Sequence, residues 1–159
     1  MKVTIIADAS HCTHTGAAGY GFWIASERGK RPGGGQVRDR VDSSSAAEMI
    51  AIVNAAHQAI KDQLVQGGDH VLFQTDCESA ILAFQGDRAG LTADERKAKK
   101  AFFELKREHG FTFSFRHVKG HTTRPEARFV TNNLCDARAK QGMRLARQRF
   151  QADSARSRS

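Results

Sequence analysis

The chain has 159 residues, 40% of them hydrophobic and 26% charged, which fits one globular domain with a single core. No apolar run reaches the roughly 20 residues of a membrane helix, and no signal-peptide pattern opens the chain, so membrane contact is not expected. Three cysteines, an odd number, favour reduced thiols and a cytoplasmic location. The net charge of +8 suits a polyanionic partner.

The positive charge is concentrated near the C-terminus. Residues 138–159 hold seven Lys and Arg side chains against one acid, Asp153, and so carry +6 of the net +8. Such a segment raises non-specific affinity for nucleic acid through counterion release, although a solvated, solubilising end is the commoner explanation of a charge run. We expect residues 1–150 to form the domain and the Ser- and Arg-rich residues 151–159 to form a disordered basic tail.

The first half of the chain predicts strands followed by a helix. Apolar, β-branched and aromatic segments indicate strands at 3–7, 19–25 and 36–41. Pro32 and residues 33–35 are interpreted as the turn before the third strand, and close neighbours of this kind form an antiparallel meander. Ser43, Ser44 and Ser45 then offer N-cap chemistry for a helix of about eighteen residues.

The second half alternates strands and helices. Periodicity and capping signals predict strands at 71–75 and 111–115 and helices at 78–84, 92–109 and beyond 130. A strand after a helix favours a parallel crossover into the same sheet. The fold class is therefore α/β, with a five-stranded mixed sheet whose first three strands are antiparallel and whose faces are flanked by helices. The basic outer face from Arg96 to Arg107 is either a nucleic-acid contact or a solvated helix face.

Four acidic residues lie where these segments start or stop: Asp8, Glu48, Asp76 and Asp136. Gathered together, they could hold two divalent cations, because such ions prefer oxygen ligands and need neutralisation to lie close to each other. Asp8 and Asp76 meet only if their strands are adjacent and parallel. Acids at strand ends and in first helical turns are also common because they cap helices and complement helix dipoles. The spacing alone therefore does not decide between a metal site and these structural roles.

Short segments around these acids form a series along the chain: Asp8-Ala9-Ser10, residues 16–24, Ala47-Glu48-Met49-Ile50-Ala51, Thr75-Asp76-Cys77-Glu78-Ser79, Val118-Lys119-Gly120-His121 and Asn132-Asn133-Leu134-Cys135-Asp136. In amino-acid sequence and in order along the chain, they resemble the motifs of type 1 ribonucleases H over residues 3–140. The resemblance implies a ribonuclease H-like fold. It also implies hydrolysis of the RNA strand of an RNA–DNA hybrid by a two-metal-ion mechanism, leaving 5′-phosphate and 3′-hydroxyl ends.

The resemblance also implies roles by position. The four carboxylates would hold two Mg²⁺ ions, with Mn²⁺ as a substitute. His121 would assist proton transfer or product release, a role that suits histidine; an exposed loop histidine is the alternative. Candidate substrate contacts are Ser10, Ser43, Ser44, Ser45, Gln74 and Asn132. The three consecutive serines stand where asparagine is frequent in the family, and they offer a shorter side chain with a hydroxyl.

The expected partner is an RNA–DNA hybrid, bound by a monomer. Many bacterial members of the family carry a basic helix-and-loop handle where this chain has only the compressed region 86–110. The first strand begins at residue 3, which leaves no space for a separate N-terminal hybrid-binding module, so distributive cleavage is expected. Two alternatives stay open: another nuclease of the same fold that acts on DNA, such as a resolvase or exonuclease, and a catalytically silent nucleic-acid-binding domain.

Overall fold

A computed structural model of the chain describes residues 1–119 and 127–158. In these residues the elements run β1 Lys2–His11, β2 Ala18–Ser26, β3 Gly29–Gln36, α1 Ser44–Lys61, β4 His70–Thr75, α2 Glu78–Gln85, α3 Ala93–His109, β5 Thr112–His117 and α4 Ala127–Arg158. This is the predicted order of strands and helices. No helix in the described ranges combines the length and apolar character needed to cross a bilayer.

The described strands form one five-stranded mixed sheet in the order β3-β2-β1-β4-β5, which confirms the predicted α/β fold class. The first three strands pair antiparallel, whereas β4 runs parallel to β1 and β5 parallel to β4. Alternate residues of β1, namely Val3, Ile5 and Ala7, lie in the core that α1 helps to build. The opposite face of β1 and β2 is covered by α4.

The third strand was placed wrongly by the sequence: it spans Gly29–Gln36, not residues 36–41. The chain turns back at once after β2, with Ser26 paired to Gly29, so Pro32 and the three glycines that follow it lie inside the strand. Proline is tolerated there because β3 is an edge strand. Gly33 is required because the ring of Phe22 lies over it and leaves no space for a Cβ.

The packing of α4 depends on glycines in the sheet and in the helix. A Cβ at Gly19 or Gly21 of β2 would overlap the backbone of α4, and one at Gly142 of α4 would overlap the carbonyl of Gly35 in β3. The helix backbone therefore lies directly on the sheet backbone. This close approach places the part of α4 around Cys135 against Gly21 in the middle of β2, and it brings Asp136 to β1.

The end of α4 differs from the expectation of a disordered tail. Phe150 is buried, with the guanidinium groups of Arg40 and Arg149 stacked on its ring at 4.3 and 4.7 Å from the centroid. Beyond it, the helix continues to Arg158 and the side chains of residues 151–157 are exposed. The alanines and arginines of this segment are good helix formers, so a helix already begun continues without packing support.

Candidate active site

The candidate site lies at the point where the pairing between β1 and β4 ends. The two strands are parallel neighbours, and their ladder ends with the pair Ile6 and Gln74. Asp76 follows β4 directly, but β1 does not end at Asp8 as predicted; it continues to His11, paired only with β2. Asp8 thus projects beside the gap that β4 leaves. The two strands are therefore adjacent and parallel, as the meeting of Asp8 and Asp76 requires.

Glu48 approaches the same gap from the second turn of α1. One carboxylate oxygen from each of Asp8, Glu48 and Asp76 lies within 4.8 Å of the other two. Asp8 is 8% exposed, and Oε2 of Glu48 is buried without a hydrogen-bond partner among the described residues. Three negatively charged groups held so close repel each other unless a cation or a proton is shared between them.

Asp136 completes the acidic group from the other face of the sheet. It follows the buried Cys135, whose thiol lies 4.0 Å from the carbonyl oxygen of Ile6, so α4 is anchored to β1 at this point. The Asp136 side chain hydrogen-bonds to Asp8, and both acids line a pocket with Asp76. The sequence predicted that these four acids could form one cluster, and the structure brings all four together.

Burial and mutual repulsion change the acidity of this group. Burial, and then the charges of Asp76 and Asp136, raise the pKa of Asp8 to about 8. Burial and the charges of Asp8 and Asp76 raise the pKa of Glu48 well above its usual range. The amide of Ala9 donates a 2.9 Å hydrogen bond to Oδ1 of Asp8, which opposes this shift. The cluster therefore has a strong affinity for positive charge.

The residues present fit a divalent metal ion. The donor atoms are carboxylate oxygens, which hard cations such as Mg²⁺ and Mn²⁺ prefer over nitrogen or sulfur. Oε2 of Glu48 has no hydrogen-bond partner among the described residues, and burial together with the neighbouring carboxylates raises the pKa values of Asp8 and Glu48. Asp8, Glu48 and Asp76 would hold the ion, with Asp136 beside them.

The three consecutive serines lie at the start of α1. Ser43 is the N-cap, and its hydroxyl accepts a 3.0 Å hydrogen bond from the amide of Ala46. Ser44 is exposed, and the half-buried Ser45 accepts a hydrogen bond from Arg88. Ser10 lies on β1 two residues after Asp8 and is half-buried.

Gln74 and Asn132 were the weaker substrate candidates, and both have unsatisfied polar atoms. Gln74 is 5% exposed, and its Oε1 has no partner among the described residues. Both polar atoms of the Asn132 amide are buried and equally unpartnered within that part of the chain, and the residue lines the same pocket as Asp8. Buried amides without partners are uncommon, which is consistent with contacts to a ligand.

His121 lies outside the described residues. Sequence reasoning missed three other residues near the site. His117 ends β5 with its Nε2 3.1 Å from the carbonyl oxygen of Asp76, and nothing in its strand pattern marked it. Lys140 pairs with Asp136 at helical spacing, a signal that the predicted helix already contained. Arg88 lies in an irregular linker where no periodicity could identify it.

A mixed sheet that carries clustered carboxylates beside two adjacent parallel strands, in a basic chain, is typical of nucleases. The comparison of sequences agrees with this class: the RNase H family model matches residues 1–144. The chain therefore belongs to the RNase H family. No curated protein sequence matches it.

Solved structures share the fold at low sequence identity. RNase H1 from the halophilic archaeon Halobacterium salinarum is 22% identical with a TM-score of 0.70, covering 92% of this chain and 100% of that one. The N-terminal RNase H domain of Rv2228c from Mycobacterium tuberculosis is 18% identical with a TM-score of 0.68, covering 92% and 96%. LC11-RNase H1, solved in complex with an RNA/DNA hybrid, is 18% identical with a TM-score of 0.65, covering 91% and 98%.

Proposed function

We propose that this protein is an endoribonuclease that hydrolyses the RNA strand of RNA–DNA hybrids with two divalent metal ions, leaving 5′-phosphate and 3′-hydroxyl ends. The observation that carries the proposal is the cluster of Asp8, Glu48 and Asp76, with oxygens within 4.8 Å, in a chain of the RNase H family. The hybrid bound to LC11-RNase H1, a protein of the same fold, supports the choice of substrate.

The acidic residues have distinct places in the proposed mechanism. Asp8 is central, because it interacts with Glu48, Asp76 and Asp136, and so it would serve as a ligand to both ions. Bound metal ions would supply an activated water and stabilise the leaving oxygen. Asp136, on the α4 side of Asp8, would help to hold the second ion. His121 is proposed to assist proton transfer or product release, with the family resemblance as its support.

Selectivity for the hybrid is assigned to the polar groups around the acids. A 2′-hydroxyl both donates and accepts hydrogen bonds, and it is the group by which a protein distinguishes RNA from DNA. The unpartnered Oε1 of Gln74 supplies an acceptor for it, and the Asn132 amide supplies both a donor and an acceptor. The hydroxyls of Ser10, Ser43, Ser44 and Ser45 are proposed as contacts to the backbone of the hybrid. The cytoplasmic location and the monomeric state stay predictions.

Cleavage of matched duplexes tests the proposal. With Mg²⁺ present, the wild type is expected to cut the RNA strand of an RNA–DNA hybrid and to leave the DNA duplex and RNA duplex of the same sequence intact. Asp76→Asn should abolish cleavage, whereas the matched change Asp153→Asn on the exposed end of α4 should not. Absence of hybrid cleavage by the wild type, or undiminished cleavage by Asp76→Asn, would refute the proposal. Cutting of the DNA duplex would favour the resolvase or exonuclease alternative.

A further inference from the structure

The linker between α2 and α3 contains an arginine that joins three helices. The guanidinium of Arg88 donates a 2.9 Å hydrogen bond to the hydroxyl of Ser45 in α1 and a 3.2 Å hydrogen bond to the carbonyl oxygen of Ser79 in α2. It also donates to the Ser79 hydroxyl and forms an ion pair with the carboxylate of Glu95 in α3. This short linker occupies the region where many family members carry a basic handle.

Glu95 holds the guanidinium in place. This carboxylate is 2% exposed, and its Oε1 accepts a 3.1 Å hydrogen bond from the amide of Thr92 in the capping box that opens α3. A buried carboxylate requires a cation, and Arg88 supplies it. The planar fork of arginine then aims its remaining N–H groups in fixed directions, one of them at Ser45.

A second connection ties the same two helix starts together. Asp42, which precedes the N-cap Ser43, accepts hydrogen bonds from the Thr92 hydroxyl at 2.7 Å and the Asp94 amide at 3.1 Å. The amide of Asp42 donates in return to Oδ2 of Asp94 at 2.9 Å. The segment 42–45 is therefore fastened to the start of α3 at both of its ends, at Asp42 by this exchange and at Ser45 by Arg88.

We propose that Arg88 is a positioning residue for hybrid binding that acts through Ser45. Because the Ser45 oxygen accepts from Arg88, its own O–H is left to donate, and within the chain it reaches the Cys77 side chain. A phosphate or sugar oxygen of the hybrid, a stronger acceptor than a thiol, takes this O–H in the complex. Arg88 itself does not contact the substrate. Glu48 lies further along α1, where the neighbouring Met49 and Ile52 are buried, so its position depends on core packing more than on this linker. The inference rests on the proposed function, whose substrate contacts it refines.

Kinetics and binding of Arg88→Met, Ser45→Ala and the double variant test the inference. Each single change is expected to raise KM for the hybrid, and its Kd measured by fluorescence anisotropy in Ca²⁺, by about 5- to 10-fold while kcat stays within about 2-fold. The double variant should be no worse than either single one, since both remove the same contact. Arg31→Met is the control, because it removes the same charge from an arginine that lies on the edge strand β3 and pairs with Asp62.

Arg88→Lys separates positioning from support of the fold. Lysine keeps a positive charge beside Glu95 but loses the fork that reaches Ser45, so stability should be retained while KM and Kd rise. Unchanged KM and Kd in Arg88→Met, or effects of Arg88→Met and Ser45→Ala that multiply in the double variant, would overturn the inference. If the wild type fails to cleave the hybrid, the proposed function falls, and the Kd comparison still decides whether Arg88 acts through Ser45.

Discussion

The ammonium group of Lys140 lies 3.0 Å from Oδ2 of Asp136, one helical turn earlier on α4. Asp136 in turn hydrogen-bonds to Asp8 in the acidic group. A tethered cation is thus in contact with a carboxylate that is proposed to serve a metal ion. A metal ion bound by Asp136 would compete with the lysine for the same oxygen, so we expect Lys140 to weaken metal binding on the α4 side of the site.

Replacing Lys140 with methionine is expected to tighten binding of Mn²⁺ about 2- to 5-fold, the range that corresponds to a partly exposed ion pair. Isothermal titration calorimetry without nucleic acid measures this directly. Arg144→Met is the control, since it removes the same charge from the exposed face of α4 one turn further on. Equal tightening in both variants would show a general field effect and not competition for Asp136.

Removing the Asp8 carboxylate is expected to stabilise the metal-free protein at pH 8 by about 1–3 kcal/mol. The pKa of Asp8 is raised to about 8, whereas an unfolded aspartate has a pKa of about 3.9. Between these values the folded state holds a proton that the unfolded state has lost, so the stability of the wild type falls as pH rises. Asn mimics the protonated form and avoids this loss.

Urea unfolding of Asp8→Asn and wild type in EDTA checks this expectation. The difference should be largest near pH 8 and should shrink towards pH 4. Adding Mg²⁺ should stabilise the wild type and leave the variant nearly unchanged, because the variant lacks the central ligand. A wild type that is equally stable at pH 5 and pH 8 would contradict the raised pKa.

Gly142→Ala is expected to reduce both stability and activity, because a Cβ there would overlap the Gly35 carbonyl and push α4 from the sheet. Overpacking of this kind costs about 1–3 kcal/mol or more. Displacement of α4 also moves Asp136, so kcat should fall in the fraction that remains folded. Gly67→Ala serves as the control, since the nearest atom to its Cβ would be the His109 carbonyl oxygen at an ordinary 3.4 Å. Thermal unfolding and hybrid cleavage report the two effects separately.

Asp69→Asn is expected to destabilise the fold by about 1–3 kcal/mol at neutral pH. The Asp69 side chain is 3% exposed, pairs with Arg28 at 2.5 Å and accepts a 2.8 Å hydrogen bond from the amide of Gln66. The Arg28 guanidinium holds the pKa of Asp69 well below its usual range. This contribution is therefore complete above about pH 4 and is lost as pH falls further. Denaturant titrations at pH 7 and pH 3 measure the loss, with Asp62→Asn as a partly exposed comparison whose pair with Arg31 spans 3.6 Å.

Truncation after Phe150 is expected to weaken hybrid binding slightly and to leave kcat unchanged. Residues 151–159 carry Arg156 and Arg158 against Asp153, a net charge of +1. Loss of that charge should reduce the slope of log K against log salt by about 1. Unfolding free energy should stay the same, since the side chains of residues 151–157 are exposed. An unchanged salt slope would show that the basic end of α4 does not contact the substrate.

The sequence predicted the architecture well because its local signals are strong and agree with the core. The structure contains the predicted serine N-cap of α1, at Ser43, and a capping signal at the start of α3, formed by Thr92 and Glu95. The position of β3 was missed because Pro and Gly are normally turn signals. Tertiary contacts determine the structure of this segment. Pro32 is tolerated because β3 is an edge strand, and Gly33 is needed because the Phe22 ring occupies the space of a Cβ.

The sequence allowed us to predict which residues form the acidic group, but not their pKa values. Asp8 and Asp76 follow apolar runs, and the crossover through α1 made their meeting plausible from the order of elements. The raised pKa values arise from burial and from distances that only the folded chain defines. The contacts of Arg88 bring together positions 45, 79 and 95, and no local pattern encodes a junction of three helices.

The edge strand β3 has one further consequence, for association between copies of the chain. An unprotected sheet edge offers free N–H and C=O groups to any extended segment and promotes aggregation. Here the edge contains Pro32, which has no N–H to donate, next to the exposed charges of Lys30 and Arg31. Pro32, which misleads a strand prediction, thus helps with these charges to discourage edge-to-edge pairing.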